Sequence, residues 1–397
     1  MNEIDYKKIV FVSNFLSPHQ KPFCDEMFCL YKGSFCFIAT KRVSQERIGL
    51  GYTDLDNVKY VVRAYEDDAH DVLAKQLIDN AEVVIIGSAS DSLIINRLKS
   101  HKLTFKYSER ILKKKLTART FPRYVLGTWL HHKRFSKYPL YMLCASAFEA
   151  HDLHRMGCYK NKRFCWGYFP DLRVYDDIDS LINKKKTNLI LWVGRLVYWK
   201  HPEYCVRLAE MLRQEGYDFK IIMIGTGELK EYIQELIETK GLSQYIQLLG
   251  SMSPDAVRDH MELASIYLVT SNRSEGWGAV LNEAMNSACA VVAGSLVGAV
   301  PYLVEDGKNG IVFKNEDLKD FIIKVKSLLD DARFSKEIGK NAYFTIATVW
   351  NHKVAARNLF DLIVRIENGG DSSCCIGPCS PAPLINDDWY MSEGVYE

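Results

Sequence analysis

Two cations and two carboxylates stand at turn positions in the second half of the chain, at a spacing that suits a charged, hydroxyl-rich ligand. Arg195 and Lys200 follow an apolar run and are five residues apart. Arginine grips phosphate oxygens bidentately, whereas lysine acts as a point charge. Glu275 and Glu283 are eight residues apart around a glycine-bearing turn, and carboxylates can accept paired hydrogen bonds from vicinal diols. The four side chains predict a site for a ligand with phosphate and sugar groups.

Glycines surround these four side chains and indicate that backbone or ligand approaches closely there. The glycines and the aromatic residue of these turns are Gly194, Gly225, Gly227, Gly276, Trp277 and Gly278. The last three precede a predicted helix whose unpaired N–H groups suit an anion or sugar hydroxyls. A plain strand-to-helix turn remains the alternative for Gly225 and Gly227. For Glu283 the alternative is stabilisation of the helix dipole.

Short apolar runs that alternate with helical stretches must position these residues, in the rhythm of βαβ units. The predicted strands are 9–13, 35–39, 83–87, 103–107 and 141–146 in the first half, and 189–194, 219–225, 246–250, 266–270, 290–294 and 311–313 in the second. In open parallel sheets, ligands bind beyond the carboxyl ends of the strands. The sequence therefore predicts an α/β protein with two doubly wound sheets and a site at the loops of the second.

The composition excludes several classes of protein. With 397 residues, of which 48% are hydrophobic and 25% charged, the chain is neither disordered, collagen-like nor a coiled coil. The sequence has no apolar run of about 18 residues, and its first residues are polar. We therefore expect no membrane span and no secretory signal, and a cytoplasmic protein.

The net charge of +2 conceals a basic half and an acidic half. Residues 1–188 carry 31 Lys and Arg against 21 acids, and the remainder carries 20 against 28. Within the basic half, residues 101–170 hold 15 basic side chains and only three acids. A surface of this kind attracts anions such as nucleic acid, lipid headgroups or a phosphate-bearing substrate.

Three motifs together resemble a known family. The patterns G-R-x4-K at 194–200, G-T-G at 225–227 and E-G-W-G-x4-E-A at 275–284 are similar to the donor-binding half of the retaining glycosyltransferases of the GT-B fold, family 4, also called glycosyltransferase group 1. The resemblance covers 189 to about 360 well and the first half thinly. It implies two Rossmann-like domains that face each other across a cleft, the first on the acceptor side and the second on the donor side.

The resemblance implies a nucleotide-diphosphate sugar as donor, bound by the second domain without a metal or cofactor. Arg195 and Lys200 would neutralise the diphosphate, Glu283 would bind the ribose and Glu275 the donor sugar. The glycines and Trp277 named above would complete the donor site. Two Asp-x-Asp tripeptides, at 54–56 and 177–179, follow no predicted buried strand and are not expected to bind metal.

Two residues of the first half are further candidates. His19 stands in the first strand-to-helix loop, where it would contact the acceptor or a phosphate, or only cap the next helix. Glu109 follows a predicted strand where the family places a polar residue near the reacting carbon. The alternative for Glu109 is an ion pair with Arg110.

The expected divisions follow from the resemblance and from the composition. They are an N-terminal acceptor-side domain (1–170), a polar linker (171–188), a C-terminal donor domain (189–350), a terminal helix that can cross back to the first domain (351–367) and a loose tail (368–397). Trp389 and Tyr390 are the tail residues suited to docking elsewhere.

The expected activity is transfer of a sugar to a glycan or lipid-linked acceptor with retention of configuration, in bacterial cell-surface polysaccharide synthesis. A nucleotide-sugar 2-epimerase of the same fold is one alternative. A nucleic-acid-binding protein that uses 101–170 is another, but it leaves the motif at 275–284 unexplained, so we expect no nucleic acid. The basic stretch would instead face the acceptor or contact an anionic membrane surface, placing the enzyme on its inner face.

Overall fold

The computed structural model describes residues 8–31, 33–44, 48, 55, 58–113, 117, 119–369 and 376–391. These residues form two compact units. Unit 1 contains the described residues up to Pro170 together with His352–Asn386. Unit 2 contains Asp171–Asn351 and the described residues after Asn386.

Unit 1 is built on a parallel sheet of seven strands among the described residues. The strands are β1 (Ile9–Ser13), β2 (Phe35–Ala39), β3 (Val61–Arg63), β4 (Val83–Ile86), β5 (Thr104–Ser108), β6 (Leu140–Cys144) and β7 (Arg163–Cys165). Their order is β3-β2-β1-β4-β5-β6-β7, with Ile9 of β1 opposite Phe35 on one side and Val83 on the other. All five residues of β1 are buried, as expected for a central parallel strand.

Helices connect these strands. They are α1 (Lys21–Leu30), α2 (Asp68–Asn80), α3 (Ile95–Lys99), α4 (Phe121–His131) and α5 (Glu149–Arg155). Local capping defines where α2 begins, because the Asp67 side chain accepts a hydrogen bond from the His70 N–H at 2.8 Å.

Unit 2 has a six-stranded parallel sheet among the described residues. The strands are β8 (Lys186–Val193), β9 (Lys220–Ile224), β10 (Ile246–Leu248), β11 (Ala264–Val269), β12 (Ala290–Gly294) and β13 (Ile311–Phe313). Their order is β10-β9-β8-β11-β12-β13, and Ile190 of β8 lies opposite Ile221 and Ile266. The chain reverses its direction of progress across the sheet between β8 and β11.

Helices cover both faces of this sheet and enclose its core. They are α6 (Ile178–Lys184), α7 (Glu203–Gln214), α8 (Lys230–Thr239), α9 (Pro254–Leu263), α10 (Ala279–Asn286), α11 (Val300–Leu303), α12 (Leu318–Asp330) and α13 (Ala332–Thr348). The last helix, α14 (His352–Glu367), belongs to unit 1 and packs against α1.

Two strands were absent from the predicted set, β3 and β7. Each has three residues and lies at an edge of the unit 1 sheet. Each also contains an arginine, Arg63 or Arg163. Short, charged edge strands lack the continuous apolar run that identifies a central parallel strand.

The stretch 171–188, expected to be a linker, is structured. It contains α6 and the first residues of β8. Asp177 caps α6 by accepting a hydrogen bond from the Ser180 N–H at 3.1 Å, and Leu181 and Ile182 are buried. The sequence did not indicate this helix, because it is short, has two buried residues and lies among charged residues.

The tail, expected to be loose over 368–397, is bonded to the protein where the structure describes it. The Cys379 N–H donates to the Cys165 carbonyl at 2.7 Å, and the Cys165 N–H donates to the Ser380 carbonyl at 2.8 Å. An antiparallel bridge joins Phe164 to Pro381. The tail thus satisfies backbone groups that β7 exposes as an edge strand. Cys374 and Cys375 lie outside the described residues.

Within the described residues, no helix combines the length and apolar character needed to cross a membrane.

Candidate functional site

The strand order of unit 2 brings three predicted site residues to one place. Because β8 and β11 are neighbours, the loops after them lie side by side at the carboxyl edge of the sheet, where ligands bind in open parallel sheets. Arg195 and Lys200 follow β8, and Glu275 follows β11. The Lys200 ammonium donates to Glu275 Oε2 at 2.6 Å, and both side chains are more than four-fifths buried. Ser271 Oγ donates to the same oxygen at 3.2 Å.

Hydrogen bonds fix the two loops to each other. The Trp192 indole N–H donates to Thr270 Oγ1 at 2.9 Å, and the Thr270 hydroxyl donates to the Lys200 carbonyl. The Asn272 N–H donates to the Trp199 carbonyl at 2.8 Å. The distance between Lys200 and Glu275 is therefore set by a buried network and not by the ion pair alone.

Arg195 is exposed and oriented by an aromatic neighbour. Its guanidinium lies 5.2 Å from the centroid of the Trp199 ring. A guanidinium held over a ring face still has the N–H groups at its edge available to phosphate oxygens.

The glycines after β8 and β9 allow two backbones to touch. A Cβ on Gly225 would lie 1.9 Å from the Gly194 oxygen, and a Cβ on Gly227 would lie 2.4 Å from the Leu196 oxygen. Main-chain bonds accompany this contact, since the Gly194 N–H donates to the Ile224 carbonyl at 3.0 Å. Close approach of backbone to backbone explains the G-T-G motif without any ligand.

The Trp277 side chain does not line the site. The side chain is fully buried, and its indole N–H donates to Asn282 Oδ1 at 2.8 Å. Its ring packs 6.3 Å from Tyr302 and 6.0 Å from Trp350, centroid to centroid. The indole thus anchors the turn from inside. The main chain adds a second attachment, because the Ala299 N–H donates to the Trp277 carbonyl at 3.1 Å.

The glycines on either side of that tryptophan shape the start of α10. Gly278 has φ of +91° in the left-handed region, and Gly276 is buried. A Cβ on Gly278 would meet Val297 Cγ1 at 3.2 Å. The turn is thus held against the loop after β12.

Glu283 lies within α10, and its carboxyl group is enclosed although the residue keeps some exposed surface. Burial raises the pKa of this carboxyl from 4.5 to about 7, and Asp171 adds to the effect. Arg258 and Arg173 act in the opposite direction. At neutral pH the group is about half ionised, and it can both accept and donate hydrogen bonds.

The tail contributes residues that the sequence did not assign to the site. Asp387 forms an ion pair with Arg273 at 3.1 Å, in the loop after β11. The Trp389 indole N–H donates to the Ser295 carbonyl at 2.8 Å, in the loop after β12. Tyr390 donates to the Val312 carbonyl at 2.8 Å. The two aromatic residues in a polar tail were the signal that could have located this contact.

In unit 1, one tyrosine connects the two remaining candidates. The Tyr168 hydroxyl donates to Glu109 Oε1 at 3.0 Å, and its ring lies 6.1 Å from that of His19. Burial lowers the pKa of His19 to about 4, so the imidazole is neutral at neutral pH. Both candidates follow strands, β1 and β5, at the carboxyl edge of the unit 1 sheet.

The alternative role for Glu109, an ion pair with Arg110, is wrong. Glu109 pairs with Lys113, whereas Arg110 is buried against Asp152 at 3.3 Å and over the Phe148 ring at 4.7 Å. Adjacent residues after a strand point to opposite sides, which separates the two charges.

No group of three His, Cys, Asp or Glu suited to a metal ion occurs among the described residues. Asp177 caps α6, and Asp179 forms an ion pair with Lys340 at 2.6 Å. Asp54 and Asp56 lie outside the described residues.

Comparison with known sequences finds relatives for the part of the chain that forms unit 2. Residues 176–344 match the family described as glycosyl transferases group 1. An alpha-D-kanosaminyltransferase of Streptomyces kanamyceticus is 31% identical over 157 residues, which are 39% of this chain and 39% of that protein. The match thus spans about two fifths of that relative's length. An uncharacterized glycosyltransferase of Methanocaldococcus jannaschii is 27% identical over 295 residues, which are 72% of this chain and 74% of that protein.

Comparison with solved structures identifies the fold. A crystal structure of HepE from Anabaena in complex with UDP matches with a TM-score of 0.66 at 14% identity, over 90% of this chain and 99% of that one. The α/β fold is that of the GT-B glycosyltransferases, which confirms the predicted fold class.

Proposed function

We propose that the chain, whose residues 176–344 match the glycosyl transferases group 1 family, transfers a sugar from a nucleotide-diphosphate sugar to a glycan or lipid-linked acceptor. One observation carries the proposal. Arg195 and Lys200 follow β8, Glu275 follows the neighbouring strand β11, and Lys200 is paired with Glu275, so two cations and a carboxylate stand at the carboxyl edge of the sheet, where open parallel sheets bind ligands.

Each of these groups has a distinct task in the proposal. Arg195 binds the diphosphate from the surface, and Lys200 binds it from within the loop. Glu275 accepts hydrogen bonds from hydroxyls of the donor sugar. Because Lys200 and Glu275 are paired at 2.6 Å, the cation for the leaving group and the carboxylate for the sugar are held in fixed register. Glu283 accepts hydrogen bonds from the ribose.

The proposed reaction retains the configuration at the anomeric carbon. The bond from that carbon to the diphosphate oxygen breaks while the acceptor hydroxyl attacks the same face of the sugar. The hydroxyl proton passes to the departing phosphate oxygen, and the nucleoside diphosphate leaves. Arg195 and Lys200 stabilise the negative charge that develops on the leaving group, which is the main electrostatic requirement. The scheme needs no resident metal or cofactor.

The proposed acceptor carries phosphate, as lipid-linked intermediates of cell-surface polysaccharides do. Residues 101–170 of unit 1 hold 15 basic side chains against three acids, which favours an anionic acceptor. Tyr168 orients Glu109, and His19 adjoins the same ring. In this proposal the neutral His19 and the Glu109 carboxylate hydrogen-bond the acceptor hydroxyls.

A panel of nucleoside diphosphates and their sugars, scored by thermal shift, tests donor binding. Nucleotides with one particular base are expected to raise the melting temperature, by an amount that grows with the logarithm of their concentration. The matching nucleotide sugar is then incubated with and without candidate acceptors, with EDTA in a parallel reaction, and the product's anomeric configuration is read by NMR. No response to any nucleotide overturns the donor proposal, and epimerised sugar from the donor alone overturns transfer. Activity lost in EDTA overturns the metal-free scheme.

A further inference from the structure

The outer half of helix α4 is apolar and exposed. Successive residues of an α-helix are rotated by about 100°, which places six apolar side chains on one half of this helix. They are Phe121, Pro122, Val125, Leu126, Trp129 and Leu130. Phe121, Leu126 and Trp129 are each more than half exposed, at 52%, 58% and 52%. We call these three residues the α4 face. An amphipathic helix normally turns such a face to the core, and α4 does the reverse.

One flank of α4 and its C-terminal end are attached to unit 1, which fixes the α4 face outward. Thr128 is 2% exposed. At the end of the helix, the Lys106 ammonium donates to the His131 carbonyl at 3.0 Å. Asp91 bridges the same two residues, 2.7 Å from Lys106 Nζ and 2.8 Å from His131 Nδ1. Because Lys106 and Asp91 are nearly buried, this anchor is stiff, and the exposure of the α4 face is a property of the fold.

The α4 face lies in a stretch of sequence that is rich in cations and contains no acids. Residues 110–148 contain nine Lys and Arg and no Asp or Glu. Five of these cations are described, exposed and adjacent to α4 in sequence: Arg119, Arg123, Lys133, Arg134 and Lys137. We call them the α4 rim. Exposed Trp, Phe and Leu beside a basic rim are the composition of helices that lie in a membrane interface.

We propose that the α4 face and the α4 rim dock unit 1 on a bilayer that contains anionic lipid. The apolar side chains enter the boundary between headgroups and acyl chains, and the rim cations bind lipid phosphates. A second copy of the chain is a poorer occupant, because two copies would bring like charges of the α4 rim together. The docking needs no sugar transfer. It deepens the proposed function only in that a lipid-linked acceptor resides in such a bilayer.

Flotation of the full chain with vesicles tests the proposal. One set of vesicles contains phosphatidylcholine alone and the other also contains phosphatidylglycerol. The protein is expected to float with the anionic set at low salt and to dissociate as salt rises, because screening weakens the contacts of the α4 rim. The double variant Leu126→Ser/Trp129→Ser should lower the partition coefficient by about tenfold or more. Lys133→Glu/Arg134→Glu should abolish the preference for anionic vesicles.

A matched control comes from α2 of the same unit. Val72 and Leu73 are 53% and 44% exposed, so Val72→Ser/Leu73→Ser removes similar apolar surface away from α4. This variant should float like the wild type, and melting temperatures should show that all variants fold. Equal flotation of the α4-face variant and the control overturns the proposal, as does a wild type that floats with neither set.

Two further readouts separate this proposal from its competitors. Light scattering after gel filtration reports self-association, and a dimer lost only in the α4-face variant would reassign the face to a second copy. The thermal response to nucleotides should be the same in the wild type and the α4-face variant. A wild type that floats but ignores every nucleotide would contradict sugar transfer and leave docking intact.

Discussion

The enclosed carboxyl of Glu283 makes a quantitative prediction about stability and pH. Its pKa is raised by burial from 4.5 to about 7 in the folded protein. The folded state therefore holds this proton more tightly than the unfolded state. The linkage relation then requires that the free energy of unfolding fall as pH rises from about 4.5 to about 7, and level off above that. Between pH 5 and pH 8 the predicted loss from this one group is about 2 to 3 kcal/mol.

Glu283→Gln removes the ionisation and keeps the size of the side chain. The variant should therefore gain stability over the wild type as pH rises, by about 2 to 3 kcal/mol between pH 5 and pH 8. Urea unfolding at a series of pH values measures the difference directly. Glu231→Gln, at an exposed position of α8, is the control, and its difference from the wild type should stay within about 0.5 kcal/mol. A Glu283→Gln difference that does not change with pH would refute a raised pKa.

The same variant tests the role of Glu283 in donor binding. If the carboxylate accepts hydrogen bonds from the ribose, nucleotide affinity of the wild type should increase as pH rises through about 7, where the group ionises. Glu283→Gln should bind nucleotide about tenfold more weakly at pH 8 and lose this pH dependence. Calorimetry that finds equal affinity for both proteins at pH 8 would contradict the ribose contact and leave the stability argument untouched.

Three further changes address the remaining parts of the site. Arg195→Ala should lower kcat/KM by ~100-fold without loss of stability, because it removes a contact that strengthens as the leaving group ionises; transfer kinetics like those of the wild type would exclude that role. Gly225→Ala places a Cβ 1.9 Å from the Gly194 oxygen, whereas Gly216→Ala, at φ of +79°, meets nothing within 4 Å. Urea unfolding should show a loss above about 3 kcal/mol for the first and about 1 kcal/mol for the second, and equal losses would argue against backbone contact. Trp277→Ala should destabilise the protein by about 3 to 5 kcal/mol in the same assay; a variant of full stability that fails to bind nucleotide would restore Trp277 as a donor contact.

The central strands were predictable because parallel strands buried on both faces are continuous apolar runs. The predicted strands 9–13 and 35–39 have the bounds of β1 and β2, and 290–294 has those of β12. The same criterion fails at β3 and β7, whose stability comes from edge pairing. The partner of β7 includes tail residues more than two hundred positions away, which no local pattern records.

The placement of a candidate site residue was predictable where it depends only on the residue's position in the loop after a strand. Arg195, Lys200 and Glu275 needed only that β8 and β11 be neighbours. The burial of the Trp277 indole was not predictable, because its environment is made by distant residues, chiefly Trp350, whose ring lies 6.0 Å away. Whether a large aromatic side chain is buried depends on the distant residues that pack against it. The sequence of the glycine-rich turn around it does not identify those residues.

The contact between the loops after β8 and β9 is made by backbone atoms, so the side chains of these loops do not contribute to it. The Leu196 N–H donates to the Thr226 carbonyl at 2.9 Å, next to the contact that Gly194 and Gly225 make. Because main-chain atoms and glycines form the junction, the side chains of Arg195 and Thr226 carry none of it. Substitutions of those two side chains should therefore leave the junction intact and act only on the chemistry, as Arg195→Ala is expected to do, whereas the three glycines of the junction must be kept constant.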